Sequence, residues 1–408
     1  MDYPTTKMAD SPDSKQSPKQ QDRDRGGRFG HQQKSMNDDN NKEVQQISLI
    51  KDSISRLHSS ILPQLRDQIR MLSEALDPED LVGDPHSKLE FIMEVQSDLD
   101  RTLDQLVPAT HIAFSRPRNP RSEQTNDCNL GECKSYRLDC AENCLSPYLR
   151  WQFAALCRSA GRLINRLNLS THTNDGEPDL SPLRECVLQK ASRSSHRIDS
   201  AICWFIQPEL TLIQTQWGKF QCSINCGPEE LLKMTKPNEH QSDSKPRYEP
   251  FIKLGESALP LLKLSNLFFN KLSVQAMNVK RLPHFTTMSS YQLYILHDLA
   301  IKIGSEVWKL TRALEGAKVH EEPIYGKQLK EAIQTLKTDF QAGLNVIILF
   351  CVPIIPDTHT QNYYRDWLAT WNTLLSLAIS NLLNACGIFL NLKVWMQLVV
   401  ASALLSMF

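Results

Sequence analysis

Glycine is scarce in this sequence, with 15 residues among 408. Backbone cradles for phosphate groups are built on clustered glycines, and none is evident. A P-loop, a G-x-S-x-G nucleophile turn and an H-E-x-x-H zinc helix are all missing. An excess of one charge is missing as well. Lysine plus arginine equals aspartate plus glutamate at 46 each, so the formal net charge is zero. Such a chain has no global field to steer it onto nucleic acid or an anionic membrane. The amino end, MDYPTTKMADSPDSK, has no cationic stretch followed by an apolar one, which argues against a secretory signal. The tripeptide Asn168-Leu169-Ser170 is then expected to stay unglycosylated. Strand alternation and Asn-Gly or Asp-Gly hairpin signals are lacking, and the β-branched run NVIILFCV continues a helical pattern.

What is present is polar at one end and helical thereafter. Residues 1–42 are rich in Asp, Ser, Gln, Lys, Arg, Gly and Asn, too polar to offset their own conformational entropy, and are expected to be disordered. Within them RGGRFG (Arg25–Gly30) sits among aspartates and reads as a solvated tail rather than an RNA-binding repeat, while Ser11-Pro12 and Ser17-Pro18-Lys19 resemble proline-directed phosphorylation sites. From residue 43 apolar residues recur at steps of three and four. Ile47, Ile50, Ile54, Leu57, Ile61, Leu65, Ile69, Leu72 and Leu76 predict one long amphipathic helix bent at Pro63. After a turn in DPEDLVGDPHS, the stripe from Leu89 to Leu106 predicts an antiparallel partner. A loop from Pro108 to about Asn129 precedes a helix carrying Leu145, Leu149, Phe153, Leu156, Ala160, Leu163 and Leu167. A further helix runs from Leu183 to Phe205, with a kink or restart at Pro208.

Residues 227–248 read as a loop or linker. Beyond it, 249–276 form an apolar helix with an irregularity at Pro260. Leu293 to Leu314 alternate regularly, and 325–349 form another helix, ended by Pro353 and Pro356. The fold class is therefore all-α, antiparallel bundles of long amphipathic helices behind a disordered tail. The organisation is 43–226 as an N-terminal bundle, 227–248 as linker, 249–392 as the C-terminal bundle part and 393–408 as an apolar extension.

Candidate chemistry is thin. Eleven cysteines, an odd number, point to reduced thiols in a cytosolic or nuclear protein. Cys128, Cys133, Cys140 and Cys144 are separated by four, six and three residues, which is marginal for zinc. Reduced cysteines near a helix start are the plainer reading, and the same holds for Cys222 and Cys226. The histidines are dispersed, and His297 is expected to be a satisfied, partly buried helical residue. The VHEEPI stretch (Val319–Ile324) lacks a second histidine, and Asp98, Asp100 and Asp104 read as an exposed helix face. Arg137, Arg150 and Trp151 are interrupted by acids, so a polar face with a core-facing aromatic is expected rather than a nucleic-acid surface. No catalytic, cofactor-binding or metal residue is assigned, and no cofactor or small-molecule substrate is expected.

The stretch YRDWLATWNTLLSLAISNLLNACGIFLNL has no charge between Asp366 and Lys393. Trp367, Trp371, Leu374, Ala378, Leu382 and Ala385 share one helical face. Thr373, Ser376, Ser380, Asn384, Gly387 and Asn391 lie on another, where lipid would leave polar groups unpaired. That pattern reads as a core helix. VWMQLVVASALLSMF (Val394–Phe408) is too short to span alone and keeps a membrane tail anchor as the alternative.

SPYLRWQFAALCRSAGRLINRL, FIKLGESALPLLKLSNLFFNKLS and YYRDWLATWNTLLSLAISNLLNAC, in this order, resemble a helical family that includes the cyclin-D-interacting proteins and uncharacterised rust-fungal sets. The resemblance spans about 45–392 and rests on style and order rather than on an invariant motif. It implies an antiparallel helical bundle, no enzymatic activity, and protein partners such as cell-cycle or transcription regulators. The expected function is a non-enzymatic protein–protein interaction module, cytoplasmic or nuclear, that docks a partner helix in an apolar groove. A tail-anchored membrane protein and a zinc-stabilised scaffold or metal-dependent enzyme on Cys128–Cys144 are the other classes.

Overall fold

The computed structural model describes residues 41–115, 119–145, 148–167, 179–235, 245–273, 282–319 and 324–405. Residues 1–40 with their serine-proline motifs, Asn168–Ser170 and His320–Pro323 lie outside the described residues. All regular structure among the described residues is helical.

The first stripe is helical and amphipathic, as expected. Helix α1 (41–56), a π turn at Leu57–Ile61 and α2 (Leu62–Ala75) form one rod that buries Ile50, Ile54, Leu57, Ile61, Leu65, Ile69, Leu72 and Leu76. Between Leu57 and Ile69 the apolar steps are all of four residues. On an ideal helix each such step drifts forward by about 40°. The wider π turn, closed by Leu62 N–H to Leu57 O, takes up part of that drift. It also accommodates Pro63, which has no N–H to give the ladder. The DPEDLVGDPHS turn contains a short helix, α3 (Pro78–Gly83), and opens α4 (Pro85–Ala113). Both start on Asp-Pro: Asp77 caps Glu79 N–H at 3.1 Å and Asp84 caps Ser87 N–H at 3.3 Å.

Helix α4 does not stop at Pro108 but continues to Ala113. There the Thr110 hydroxyl bonds to Leu106 O at 2.9 Å, one turn back along the helix. The stretch read as one helix through Leu145 and Leu149 is described as α5 (Ser135–Leu145) and α6 (Tyr148–Arg166). Helix α7 (Ser181–Ile206) packs on α2, α5 and α6. Helix α8 (Glu209–Thr235) then restarts after Pro208 and runs on through Pro228, so residues 227–235 are helical rather than loop.

The second half is assembled around α10 (Ser290–Val319), whose Leu293, Leu296, Ala300, Ile303, Val307, Leu310 and Leu314 are all buried. It packs against α8, α9 (Lys245–Lys271) and α11 (Ile324–Val346). A Cβ on Gly343 of α11 would come within 2.6 Å of Leu299, so glycine permits that close approach. The NVIILFCV run is helical and ends in a second π turn, Ile347–Cys351, again just before a proline. Helix α12 (Thr358–Leu405) lies across α9 and α11. Trp371 anchors it, with its ring 4.6 Å from Phe268 and 5.1 Å from Phe340, and its indole N–H donating to Leu264 O at 3.0 Å.

The buried face of α12 is turned from the expected one. Tyr364, Leu368, Trp371, Leu375, Ala378, Ile379, Leu382, Cys386 and Phe389 are buried, whereas Leu374 is exposed and Trp367 and Ala385 are half-covered. In a helix this apolar the packing partners, not the pattern, choose the face. Thr373, Ser376, Ser380, Asn384 and Asn391 do face solvent. Thr358–Asn391 is long and apolar enough to cross a membrane, with 33 % of its most apolar window buried, and the helix continues without a break past Lys393.

Candidate functional site

Two features rise above ordinary helix packing: a closed polar seam between the halves of the chain, and an open apolar groove in the first half.

The seam forms where α5 meets α10. The turn before α5 closes through Gly131, whose φ of +56° suits glycine. Asp127 in that turn accepts from Ser135 N–H at 2.8 Å and, across the seam, from Ser290 N–H at 2.8 Å and the Ser290 hydroxyl at 2.6 Å. The same hydroxyl oxygen accepts from Tyr136 N–H at 2.8 Å. Deeper in, Lys134 and Glu209 form an ion pair at 3.0 Å with both side chains 0 % exposed. Lys134 also donates to Thr286 O at 2.6 Å, and Glu209 accepts from Thr286 N–H at 2.7 Å and its hydroxyl at 2.6 Å. Arg137, also fully buried, donates to Phe205 O at 2.8 Å and lies over the Phe285 ring. Burial lowers its pKa from the ordinary guanidinium value. Its Nε and Nη1 have no acceptor among the described residues.

Next to this pair is an aromatic and thiol layer. The Tyr136 ring stands edge-on to Trp204 at 5.5 Å and to Tyr294 at 5.0 Å, and its hydroxyl is 3.1 Å from His297 Nδ1. Burial pushes the His297 pKa down to about 4, so the ring is neutral near pH 7. Tyr294 bonds to Asp139 and lies 3.5 Å from the Cys140 sulfur. Burial raises the pKa of both the Cys140 thiol and the Tyr294 hydroxyl. Arg121 pairs with Asp298 over the Tyr294 ring, 4.1 Å from its centroid. None of the three clefts described below is lined by Lys134, Glu209 or His297.

The cysteine-rich stretch is built into this seam. Cys133, Cys140 and Cys144 are buried and Cys128 is half-buried. Among the described residues no group of three or more His, Cys, Asp or Glu side chains is placed to hold a metal ion. Asp98 pairs with Arg101 at 3.1 Å on the outer side of α4, beside exposed Asp100 and Asp104. Trp151 corrects the expected core-facing aromatic: it is 55 % exposed under Lys190, because the buried stripe Leu149, Leu156, Ala160, Leu163 leaves it on the opposite side of α6. No residue spacing signals the Lys134–Glu209 pair, whose members are 75 residues apart.

The groove lies between α4 and α6, with α2 beneath. One part encloses about 660 Å³ over buried Leu65, Ile69, Leu106, Leu145 and Leu149. Val107, His111, Ser115 and Ala154 form its exposed rim. A second part of about 310 Å³, over Leu72, Leu76, Ile92 and Leu99, shares Phe153 with the first. Together they border α4 from Ile92 to its end at Ala113, about 32 Å at helical rise. The two hollows lie side by side between α4 and α6, with α2 forming their floor. A third depression, of about 540 Å³, lies between α8 and α10.

Residues 50–206 match a family described as "Domain of unknown function (DUF8723)", and residues 208–384 match a second, "Domain of unknown function (DUF8721)". The two matched stretches adjoin at Gln207, and the polar seam joins one to the other. No curated protein and no solved structure matches the chain.

Two outcomes test the seam by urea unfolding. Lys134→Met or Glu209→Gln alone is expected to cost about 3–5 kcal/mol, because each leaves a buried charge unpaired. The double replacement should cost less than the sum by at least ~1 kcal/mol, and strict additivity would contradict the pairing. For His297, the unfolded chain binds the proton more readily than the folded one. Its contribution is present above about pH 6.5 and is lost as pH falls toward about 4. His297→Phe should flatten that part of the stability–pH curve relative to the parent chain.

Proposed function

We propose that this protein is a non-enzymatic docking module whose α4–α6 groove takes an amphipathic helix from a partner protein. The observation that carries the reading is the groove itself: an apolar floor, a partly polar rim, and helical walls on either side. That is the form in which a helix is bound through residues at i, i+3, i+4 and i+7. The resemblance to the cyclin-D-interacting family supports protein partners of a regulatory kind. The abundance of free thiols supports a reducing compartment, cytoplasm or nucleus. The closed seam supports a structural rather than catalytic use of the buried charges.

The test is fluorescence anisotropy of the full chain against labelled amphipathic-helix peptides. At least one should bind saturably, and Leu103→Glu in the groove should weaken it tenfold or more while Leu103→Met leaves it nearly unchanged. If no peptide binds, or if Leu103→Glu has no effect with helicity intact, the groove is not a docking site.

A second reading rests on α12. Leu374, Leu377 and Ile388 are exposed on it, and it runs on through the apolar stretch after Lys393. As a tail anchor, α12 would keep the chain in the membrane pellet through alkaline extraction. Release into the supernatant is the outcome expected of the docking module in soluble form.

A further inference from the structure

The groove and the seam leave unused a pair of thiols in the second half of the chain. Cys222 and Cys226 lie one turn apart on α8, both exposed, with their sulfurs in contact at 3.9 Å. They border the open depression of about 540 Å³ between α8 and α10, where a small solute can reach them. The other exposed cysteines, Cys157 and Cys203, lie on α6 and α7.

The helix holds the two sulfurs close without letting them bond. Residues four apart on a helix have Cα atoms about 6.2 Å apart, inside the range a disulfide spans. Their Cβ atoms, however, are about 5–6 Å apart, where a disulfide needs about 3.5–4.5 Å. Closing the bond therefore requires this turn of α8 to rewind. The chain has a weak place for that. Pro228 follows within the same helix and has no N–H to give the carbonyl of Ile224, which lies between the two cysteines. The same turn is packed tightly on α10: a Cβ on Gly227 would lie 2.7 Å from Val307. Rewinding here must disturb that contact.

We propose that Cys222 and Cys226 are a redox-sensitive dithiol, oxidised by a hydroperoxide to a strained intrahelical disulfide that unwinds α8 against α10. The Cys226 pKa is raised, above all by the hydrogen bond to Cys222 and next by the charge on that sulfur. Cys226 thus keeps its proton, and Cys222 is the attacking sulfur. Its thiolate takes one peroxide oxygen, the O–O bond breaks, and the other oxygen leaves as water or an alcohol, giving a sulfenic acid. The Cys226 sulfur then attacks Cys222. An S–S bond forms, the S–O bond breaks, and the hydroxyl leaves as water with the Cys226 proton. Two electrons pass from the sulfurs to the peroxide. Strain makes such a disulfide easy to reduce, so two molecules of a cellular thiol return the pair to its free form.

The experiment treats the full chain, reduced, with a stoichiometric amount of hydrogen peroxide, then blocks free thiols with N-ethylmaleimide for peptide mass analysis. The peptide holding Cys222 and Cys226 is expected to lose two hydrogens roughly tenfold faster than Cys157 or Cys203 is oxidised, and to regain them with glutathione. Amide hydrogen exchange over 222–231 should quicken in the oxidised chain and recover on reduction. Cys226→Ser should stop at a sulfenic acid on Cys222, trapped by dimedone, while Cys222→Ser should leave Cys226 unreacted over the same time. Both positions are exposed, so the reduced variants should keep the helicity of the parent. Oxidation of the pair no faster than of Cys157 and Cys203 would overturn the proposal. So would a disulfide to another cysteine or another chain in its place, or a Cys222–Cys226 disulfide that leaves hydrogen exchange unchanged.

Discussion

The contact on which the two halves of the molecule depend is the buried pair of Lys134 and Glu209. Taking both charges out of water is costly, and the cost is offset only because each has further partners in fixed places. Thr286 gives its amide and hydroxyl to the carboxylate and its carbonyl to the ammonium, so the segment before α10 has one position relative to α5 and α8. Asp127 repeats the device a few residues away by binding both the amide and the hydroxyl of Ser290. An apolar seam between helices tolerates sliding; this one does not, because any shift leaves charges unpaired.

That rigidity matters for the groove. Helix α5 is tied to the second half through the seam, and its far end, at Leu145, forms part of the groove floor. The groove between α4 and α6 is thus held from beneath by α2 and α7 and from one side by a charged latch. Where one half of the molecule carries an open groove, the other is closed over its own centre. There Trp371, Phe268 and Phe340 meet in one aromatic cluster.

Proline shows where local rules hold and where packing overrides them. Pro208 separates two helices. Pro108, Pro228 and Pro260, however, lie within helices, whose continuity is maintained by burial on either side of the break. Pro63 and Pro353 follow π turns, in which the wider winding makes room before the missing donor. From residue pattern Pro63 reads as a bend, Pro208 as a kink or restart, Pro260 as an irregularity and Pro353 as a helix end, while Pro108 and Pro228 fall in expected loops.

The all-helical class, the stripes of α1, α2 and α10, and the solvent-facing Ser and Asn of α12 were readable from residue spacing, because a three-four alternation of apolar and polar residues has only one helical face to bury. The face of α12 was not, because a nearly continuous apolar run leaves its direction to the neighbours that pack on it, and Leu375 rather than Leu374 turned inward. Nor was the groove, which is a space between α4 and α6 and belongs to neither sequence. The same is true of Lys134 and Glu209. Nothing local marks them as buried, and only the tertiary structure, by closing α5 on α8 and α10, decides that these two charges meet.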